Sequence, residues 1–434
     1  MSRILLVEPN FPIPRKSRNH KNFMPIGLLK IAAFLRNQDN QVRLIRGKPN
    51  DNGEEGELRK FNPDEIWITS LFTYWAKYVR ETVQVYRSIF PNAYIKVGGI
   101  YATLFPPQVV KEYTGCDDVY QGVIPEVEEY IKTHPPAYDL LANSHLINFQ
   151  IIHASRGCPR NCPFCGTWVI EPEFVTKQSI VNEIIYPGVV FYDNNFLMNP
   201  YVENILQELI ELRKEGKIKW VESQSGLDGR ILAQNPSLAV LLRKAGLRDP
   251  RIAWDWGYKQ KHLIEKQIQV LINAGYKSSD IFVFMLYNHD FSFEEMEKKR
   301  ISCWNWKTQI ADCRFRPLEQ LIDNYKPRAI GQTSDDYFIS EGWNDALVKQ
   351  YRKNVRQQNI CVRMGYSVYS SKAEQKKLGE NMHKELRQSV SLEEKEKFFE
   401  KNKADWWFPG LITYPKILGN TQNGSTTNAI IDNI

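Results

Sequence analysis

No run of apolar residues in this chain approaches the ~20 that span a bilayer as a helix. The opening MSRILLVEPNF also lacks the basic region, apolar core and small-residue cleavage site of a secretory signal. The expected setting is therefore cytoplasmic, away from membranes. Thiols stay reduced there, so clustered cysteines more often bind metal or react than form disulfides. A disordered composition is absent as well: 42% of residues are hydrophobic, 25% charged and 12% aromatic, which describes a packed protein. Charge of one sign is in short supply. A net +7 over 434 residues permits an anionic partner such as RNA without indicating one, and a solvated surface accounts for it. No internal repeat of solenoid period is present. A chain of this length buries its cores without covalent staples, so stability does not explain its seven cysteines.

Strand and helix patterns alternate over residues 1–135. The runs RILLVEP (3–9), QVRLIRG (41–47), EIWITSL (65–71) and AYIKVGG (93–99) read as strands. GLLKIAAFLRNQ (27–38) and WAKYVRETVQVYRSIF (75–90) carry helical spacing between them. Such alternation predicts a parallel sheet covered on both faces, a doubly wound Rossmann-like α/β domain. Ligands of such sheets sit at the carboxyl ends of the strands. That points to the loops at 9–25, 70–74 and 98–103, with Ser70, Gly98 and Gly99 as candidate contacts, although a plain turn explains the two glycines equally well. The first of these loops is basic, with Arg15, Lys16, Arg18 and Lys21 beside His20. A solvated loop and a phosphate contact are both open for it.

Residues 136–148, rich in proline and polar side chains, read as a linker. A second alternating series covers 149–340, with strands in FQIIHAS (149–155), GVVFYDNNF (188–196), IKWVESQSG (218–226), RIAWDWG (251–257) and DIFVFMLYN (280–288), and a sixth expected in RAIGQTS (328–334). Six units are too few for an eight-fold barrel. They predict a partial (β/α)6 TIM-type barrel, open on one side. Residues 341–418 read as a helical region containing helices at 371–388 and 391–407, the latter with Ser391 and Glu394 spaced as a capping box. The tail 419–434 is polar and expected to be flexible.

The chemistry is concentrated in RGCPRNCPFC (156–165), where Cys158, Cys162 and Cys165 have C-x3-C-x2-C spacing. Zinc sites usually add a second ligand pair elsewhere, and none stands out. Three thiolates on one loop suit a four-iron four-sulfur cluster whose fourth iron stays open to a cofactor. The triad, its position after the first strand of a partial barrel, and the aromatic Phe164 before the last cysteine resemble the radical S-adenosylmethionine superfamily. That resemblance implies a [4Fe-4S] cluster on Cys158, Cys162 and Cys165, with S-adenosylmethionine chelating the open iron. It further implies reductive cleavage to methionine and a 5'-deoxyadenosyl radical, fed by an electron donor such as flavodoxin or ferredoxin.

Phe164, then Asp193, Asn194 and Asn195 after the second barrel strand, and Glu222, Ser223 and Gln224 at the third, are the residues that the resemblance assigns to S-adenosylmethionine. Arg230 is a candidate fork for its carboxylate. Helix capping competes for the first group, and a surface salt bridge for Arg230. Trp254, Asp255 and Tyr287, at later strand ends, are substrate candidates, against which core packing of alternate positions must be weighed. Cys303, Cys313 and Cys361 have no tight spacing and read as free thiols rather than an auxiliary cluster.

ILLVEPN, MPIGLLKIAAFLRNQDNQVRLI, PDEIWITSLF and YIKVGGIYATLFP resemble, in that order, the cobalamin-binding domain of cobalamin-dependent radical enzymes. That adds cobalamin to the expected cofactors and methyl transfer, or a related radical transformation, to the expected reactions. The D-x-H-x-x-G pattern that supplies a cobalt-ligating histidine is absent, as it is from many radical members. The alternative is a cobalamin-independent radical enzyme whose first domain docks a peptide or RNA. Methylthiotransferases are disfavoured, because they carry three further cysteines in that domain and only Cys116 is present here.

Overall fold

A computed structural model describes residues 1–13, 24–49, 53–370 and 406–415. The basic loop with His20, the expected helix 371–388, most of 391–407 and the tail 419–434 lie outside the described residues.

Strands β1 (Arg3–Glu8), β2 (Gln41–Arg46), β3 (Glu65–Ser70), β4 (Tyr94–Gly99) and β5 (Asp118–Val119) form one parallel sheet in the order β2-β1-β3-β4-β5. The near-continuous apolar run of β1 is explained by its central place. Leu5 and Val7 pack with Val79, Val83 and Tyr86 of the helix Ala76–Ile89 on one face, and Ile4 and Leu6 with Leu28, Ala32 and Leu35 of the helix Ile26–Asn37 on the other. Each such fully buried aliphatic side chain contributes about 1.5–3 kcal/mol. Both faces are therefore closed to ligand, which leaves the carboxyl edge, as the doubly wound topology dictates.

The linker is tied down. Ala137 and Tyr138 are buried, Ala137 N donates to Leu29 O (3.0 Å), and the Tyr138 hydroxyl accepts from Ile151 N (3.2 Å).

Beyond it, β6 (Phe149–Ile152) opens the second unit, followed by the two-residue strands β7 (Ser155–Arg156) and β8 (Val175–Thr176), then β9 (Gly188–Phe191), β10 (Trp220–Ser223), β11 (Arg251–Ala253), β12 (Phe282–Tyr287) and β13 (Gln309–Arg314). β6, β9 and β10 make one parallel three-stranded sheet, and β11, β12 and β13 another. Single parallel bridges, Val221 to Leu247 and Leu227 to Ile252, lie along the seam between them. Among the described residues no strand pairs β13 back to β6. The architecture is thus an open, mixed α/β half-barrel in chain order.

The sixth strand is not where the sequence pattern put it. Residues 328–334 form turns, and QIADCR (309–314) is the strand instead. Gln309, Asp312 and Arg314 break the apolar run because β13 is covered by the helix Asp345–Met364: Asn359 there exchanges hydrogen bonds with Ile310 N and O (2.8 and 2.7 Å). Trp406 and Trp407, expected to end a helix, pair instead as a strand with Tyr369 and Ser370. The segment 406–415 is held by fully buried Arg300, which donates to Glu297, Gln358, Pro409 O and Leu411 O.

The two units meet through buried charge. Lys30 Nζ lies 2.9 and 3.0 Å from the two Glu128 oxygens and 3.5 Å from His153 Nδ1 at the end of β6. Burial pushes Lys30 down, opposed by Glu128. Burial and the cations Lys30, Arg156 and Lys177 hold His153 well below its usual value, hence neutral. No helix among the described residues is long and apolar enough to cross a membrane.

Candidate cluster and cofactor site

The cysteine loop is an excursion whose base is clasped by β7 and β8, paired antiparallel with Ser155 opposite Thr176 and Arg156 opposite Val175. Gly157 turns the chain out of this clasp at φ +76°, and a Cβ there would stand 2.2 Å from Glu173 O. Only glycine fits both the left-handed backbone and the close approach. Its amide donates to Glu171 Oε2 (2.7 Å), and Arg156 binds the other oxygen (2.5 Å). Asn161, at φ +42°, turns the chain between Cys158 and Cys162, and Cys165 N closes on Cys162 O at 3.0 Å. All three thiols are free and half-buried.

Polar side chains surround them. Asn195 Nδ2 lies 3.8 Å from Cys158 Sγ, and Thr167 Oγ1 lies 3.2 Å from Cys165 Sγ. Arg160, inside the motif, reaches Asp228 (2.8 Å), which also caps the helix Gly229–Gln234 and pairs with Arg230 (3.0 and 3.2 Å). Burial alone would raise Asp228, yet these two arginines hold it below the ordinary carboxylate value. Burial, then the neighbouring thiols Cys165 and Cys158 and the carboxylate of Asp255, push Cys162 up, while Arg230 pulls it down.

Three thiols on one pinned loop, with an amide beside one and a hydroxyl beside another and the Arg230 charge close to Cys162, fit a thiolate-held iron–sulfur cluster. Among the described residues no three His, Cys, Asp or Glu side chains close on one point as ligands of a single ion. A four-iron cluster, which takes each thiolate on a separate iron, does not require such convergence.

The remaining candidates divide by what they already bind. Asp193 is fully buried and accepts from Ala154 N (3.1 Å), Ser155 N (2.5 Å) and Ser155 Oγ (2.7 Å), which docks the start of the cysteine loop on β9; burial raises it to about 6. Asn194 bridges Glu171 (2.8 Å) and Thr167 (3.3 Å). Asn195 is buried, and its Oδ1 has no partner. Glu222 Oε1 accepts from Gln224 (3.0 Å) and Arg251 (2.7 Å), whereas buried Ser223 bonds back to Ser225 O (3.0 Å). Arg230 stays half-exposed, paired with Asp228 and close enough to Cys162 and Cys158 to feel their charge.

Phe164 packs edge-on against Trp256 (6.0 Å) and His289 (6.2 Å), so the cysteine loop reaches the ends of β11 and β12. Asp255 is half-buried there, and burial raises it to about 6 against Lys299 and Arg230. Trp254 and Tyr287, expected at the mouth, are core residues instead. Both are fully buried, Trp254 against Tyr258 and Trp306 under Lys299, and Tyr287 against Trp343 and Tyr351. Cys303 and Cys361 are buried, and Cys313 is exposed.

At the carboxyl edge of the first sheet, Ser70 Oγ donates to Gly98 O (2.7 Å) and accepts from Ala102 N (3.1 Å). Gly99 sits at φ +95°, where a Cβ would be 2.3 Å from Ser70 O. These residues thus shape the edge, since both hydrogen-bonding directions of Ser70 are used within it. The same edge abuts the cysteine loop. A Cβ built on Gly166 meets Leu104 of the first unit at 3.5 Å and Leu318 after β13 at 3.3 Å, and Arg316 stacks on Tyr74 at 4.3 Å. The carboxyl ends of both units therefore face one another.

Sequence reasoning missed Thr167, Glu171 and Asp228. An Asp opening the DGR turn is a legible helix cap; nothing in the sequence marks the other two.

Residues 20–130 match the family model of the B12 binding domain. An uncharacterized methyltransferase of Pyrococcus horikoshii is 23% identical over 301 residues, covering 56% of this chain and 63% of the relative. The anaerobic magnesium-protoporphyrin IX monomethyl ester cyclase of Cereibacter sphaeroides is 23% identical over 325 residues, covering 59% of this chain and 52% of the relative. The chain therefore spans between half and two thirds of the length of these relatives. Among solved structures, the cobalamin-dependent S-adenosylmethionine radical enzyme OxsB with aqua-cobalamin bound aligns at TM-score 0.50 and 14% identity, over 84% of this chain and 56% of that one. Residues 20–130 thus match the B12 binding domain, and over 84% of its length the chain has the fold of the cobalamin-dependent S-adenosylmethionine radical enzyme OxsB.

Proposed function

We propose that this chain is a cobalamin-dependent radical S-adenosylmethionine methyltransferase. The observation that carries the reading is the apposition of the two carboxyl edges. The pinned cysteine loop, through Gly166, lies against Leu104 of the B12-type domain, so a substrate held in the half-barrel would meet both cofactors. When bound, the [4Fe-4S] cluster supplies the electron that cleaves S-adenosylmethionine, and cobalamin supplies the methyl group.

The chain's own residues then position and shield. Cys158, Cys162 and Cys165 are the cluster ligands. Asn195 Oδ1, buried without a partner, is the acceptor for the amino group of S-adenosylmethionine, and Arg230 the counter-charge for its carboxylate. Glu222 and Gln224 offer further polar contacts on the same side. Asp255 and Trp256 line the approach to Phe164 and contact substrate. The Tyr74–Arg316 stack helps close the seam between the units against water, which radical chemistry must exclude. The Pyrococcus horikoshii relative is named a methyltransferase, which favours methyl transfer over docking of a peptide or RNA on the first domain. A low-potential reductant, flavodoxin or ferredoxin, is the expected partner.

The test is anaerobic reconstitution with iron, sulfide and cobalamin, followed by absorption spectra and an assay for 5'-deoxyadenosine. Corrinoid retention together with 5'-deoxyadenosine release supports the reading. Failure to bind corrinoid would remove the cobalamin half, and a Cys162→Ala protein that still cleaved S-adenosylmethionine would remove the rest.

A further inference from the structure

Two of the three cysteine sulfurs have a side-chain partner other than a cysteine, and the two partners come from different elements. Thr167 follows Cys165 by two residues, at the start of the short helix Thr167–Ile170, while Asn195 arrives from the turn after β9. Each also has a polar side-chain neighbour other than sulfur. Asn195 Nδ2 has two hydrogens, one directed to Asp228 Oδ2 (3.4 Å) and the other to Cys158 Sγ (3.8 Å). Thr167 Oγ1 lies 3.3 Å from Asn194 Oδ1, and the Asn194 amide is itself fixed by Glu171 Oε2 at 2.8 Å. Glu171 is anchored in turn by Gly157 N and Arg156.

A free thiol at 165 donates a hydrogen bond to Thr167, whose hydroxyl then donates to Asn194. A sulfur bound to iron has no proton to give. The single hydroxyl hydrogen of Thr167 is then the only one able to occupy the 3.2 Å line to Cys165 Sγ, and it does so by leaving the 3.3 Å line to Asn194 Oδ1. Hydrogen bonds to ligating sulfurs stabilise the more negative, reduced form of a cluster and so set its potential.

We propose that Thr167 and Asn195 are positioning residues that raise the reduction potential of the cluster by donating hydrogen bonds to Cys165 and Cys158. The inference rests on the reading that the triad holds a cluster. It carries a consequence for asymmetry, because the donors serve two sulfurs, and among the described residues Cys162 has no hydrogen-bonded side-chain donor.

The test is a potentiometric titration of the reconstituted full chain without S-adenosylmethionine, followed by electron paramagnetic resonance, with iron and sulfide counted first. Thr167→Val keeps the shape and removes the donor; Thr167→Ser keeps the donor. The expected result is a full iron count in both variants, a midpoint shifted to more negative values by on the order of tenfold in the reduction equilibrium, or ~59 mV, for Thr167→Val, and a wild-type midpoint for Thr167→Ser. Asn195→Leu should shift the same way and by less, given its longer contact, and the double variant should show about the sum. A fully loaded Thr167→Val protein with an unshifted midpoint, or an equal shift in Thr167→Ser, overturns the inference while leaving the cluster reading intact. A wild-type chain with no four-iron cluster overturns both.

Discussion

Gly157→Ala is the sharpest test of how the cysteine loop is held, because Gly216 provides an internal control with nearly the same backbone. Gly157 has φ +76° and Gly216 has φ +75°, but a Cβ at 157 would lie 2.2 Å from Glu173 O and 3.0 Å from Glu171 O, whereas at 216 nothing stands within 4 Å. The left-handed conformation costs a non-glycine residue about 1–2 kcal/mol at either position. At 157 the contacts are backbone carbonyls of the segment that leads into β8, so relief requires moving the loop, at a further ~1–3 kcal/mol typical of overpacking. Gly157→Ala should therefore destabilise by about 2–5 kcal/mol and Gly216→Ala by about 1–2 kcal/mol. Displacement of the loop also lengthens the 2.7 Å bond from Gly157 N to Glu171, so the 157 variant should take up less iron on reconstitution. Urea denaturation of the apoprotein and iron per chain are the two measurements. Equal stability losses and equal iron content in the two variants would refute the claim that this glycine sets the loop.

Other outcomes follow from the same geometry. Cys158→Ala, Cys162→Ala or Cys165→Ala should abolish the visible absorption of a reconstituted cluster, while Cys313→Ala, on an exposed thiol outside the loop, should retain it; loss in Cys313→Ala would reassign the ligand set. Lys30→Met removes one partner of a buried pair, a change that costs about 3–5 kcal/mol. Glu128 keeps Arg156 at 3.6 Å and is a quarter exposed, so the lower end is expected, with part of the loss recovered in Lys30→Met/Glu128→Gln by denaturant unfolding. Asp312 is raised by burial to about 6, so the folded protein holds this proton more tightly than the unfolded chain. Its contribution therefore falls as pH rises from about 4 to 6. Asp312→Asn should remove that decline, seen by comparing unfolding midpoints at pH 5 and pH 7; an unchanged pH slope would contradict the assignment.

Both architectures were legible in the sequence because strand and helix periodicities follow from local chemistry: an apolar run as short as RILLVE, ended by Pro9, fits a strand closed on both faces. The cysteine triad was legible for the same reason, since its three thiols lie within one loop. The sixth strand was not, because QIADCR owes its polar residues to the helix laid over it, a partner 31 residues further along. Trp254 and Tyr287 were misplaced since which face of a strand looks into a half-barrel depends on how the two sheets sit, not on which residues are aromatic.

By itself, then, the sequence determined what could ligate iron and which segments alternate, properties carried by spacing along the chain. Tertiary structure alone decided that Glu171, Asn194 and Thr167 form one hydrogen-bonded line to Cys165, that Asp193 serves the loop, and that the B12-type edge faces the triad. Those are meetings of residues distant in sequence. They depend on directed polar contacts and on the packing of whole sheets, for which no local pattern is required.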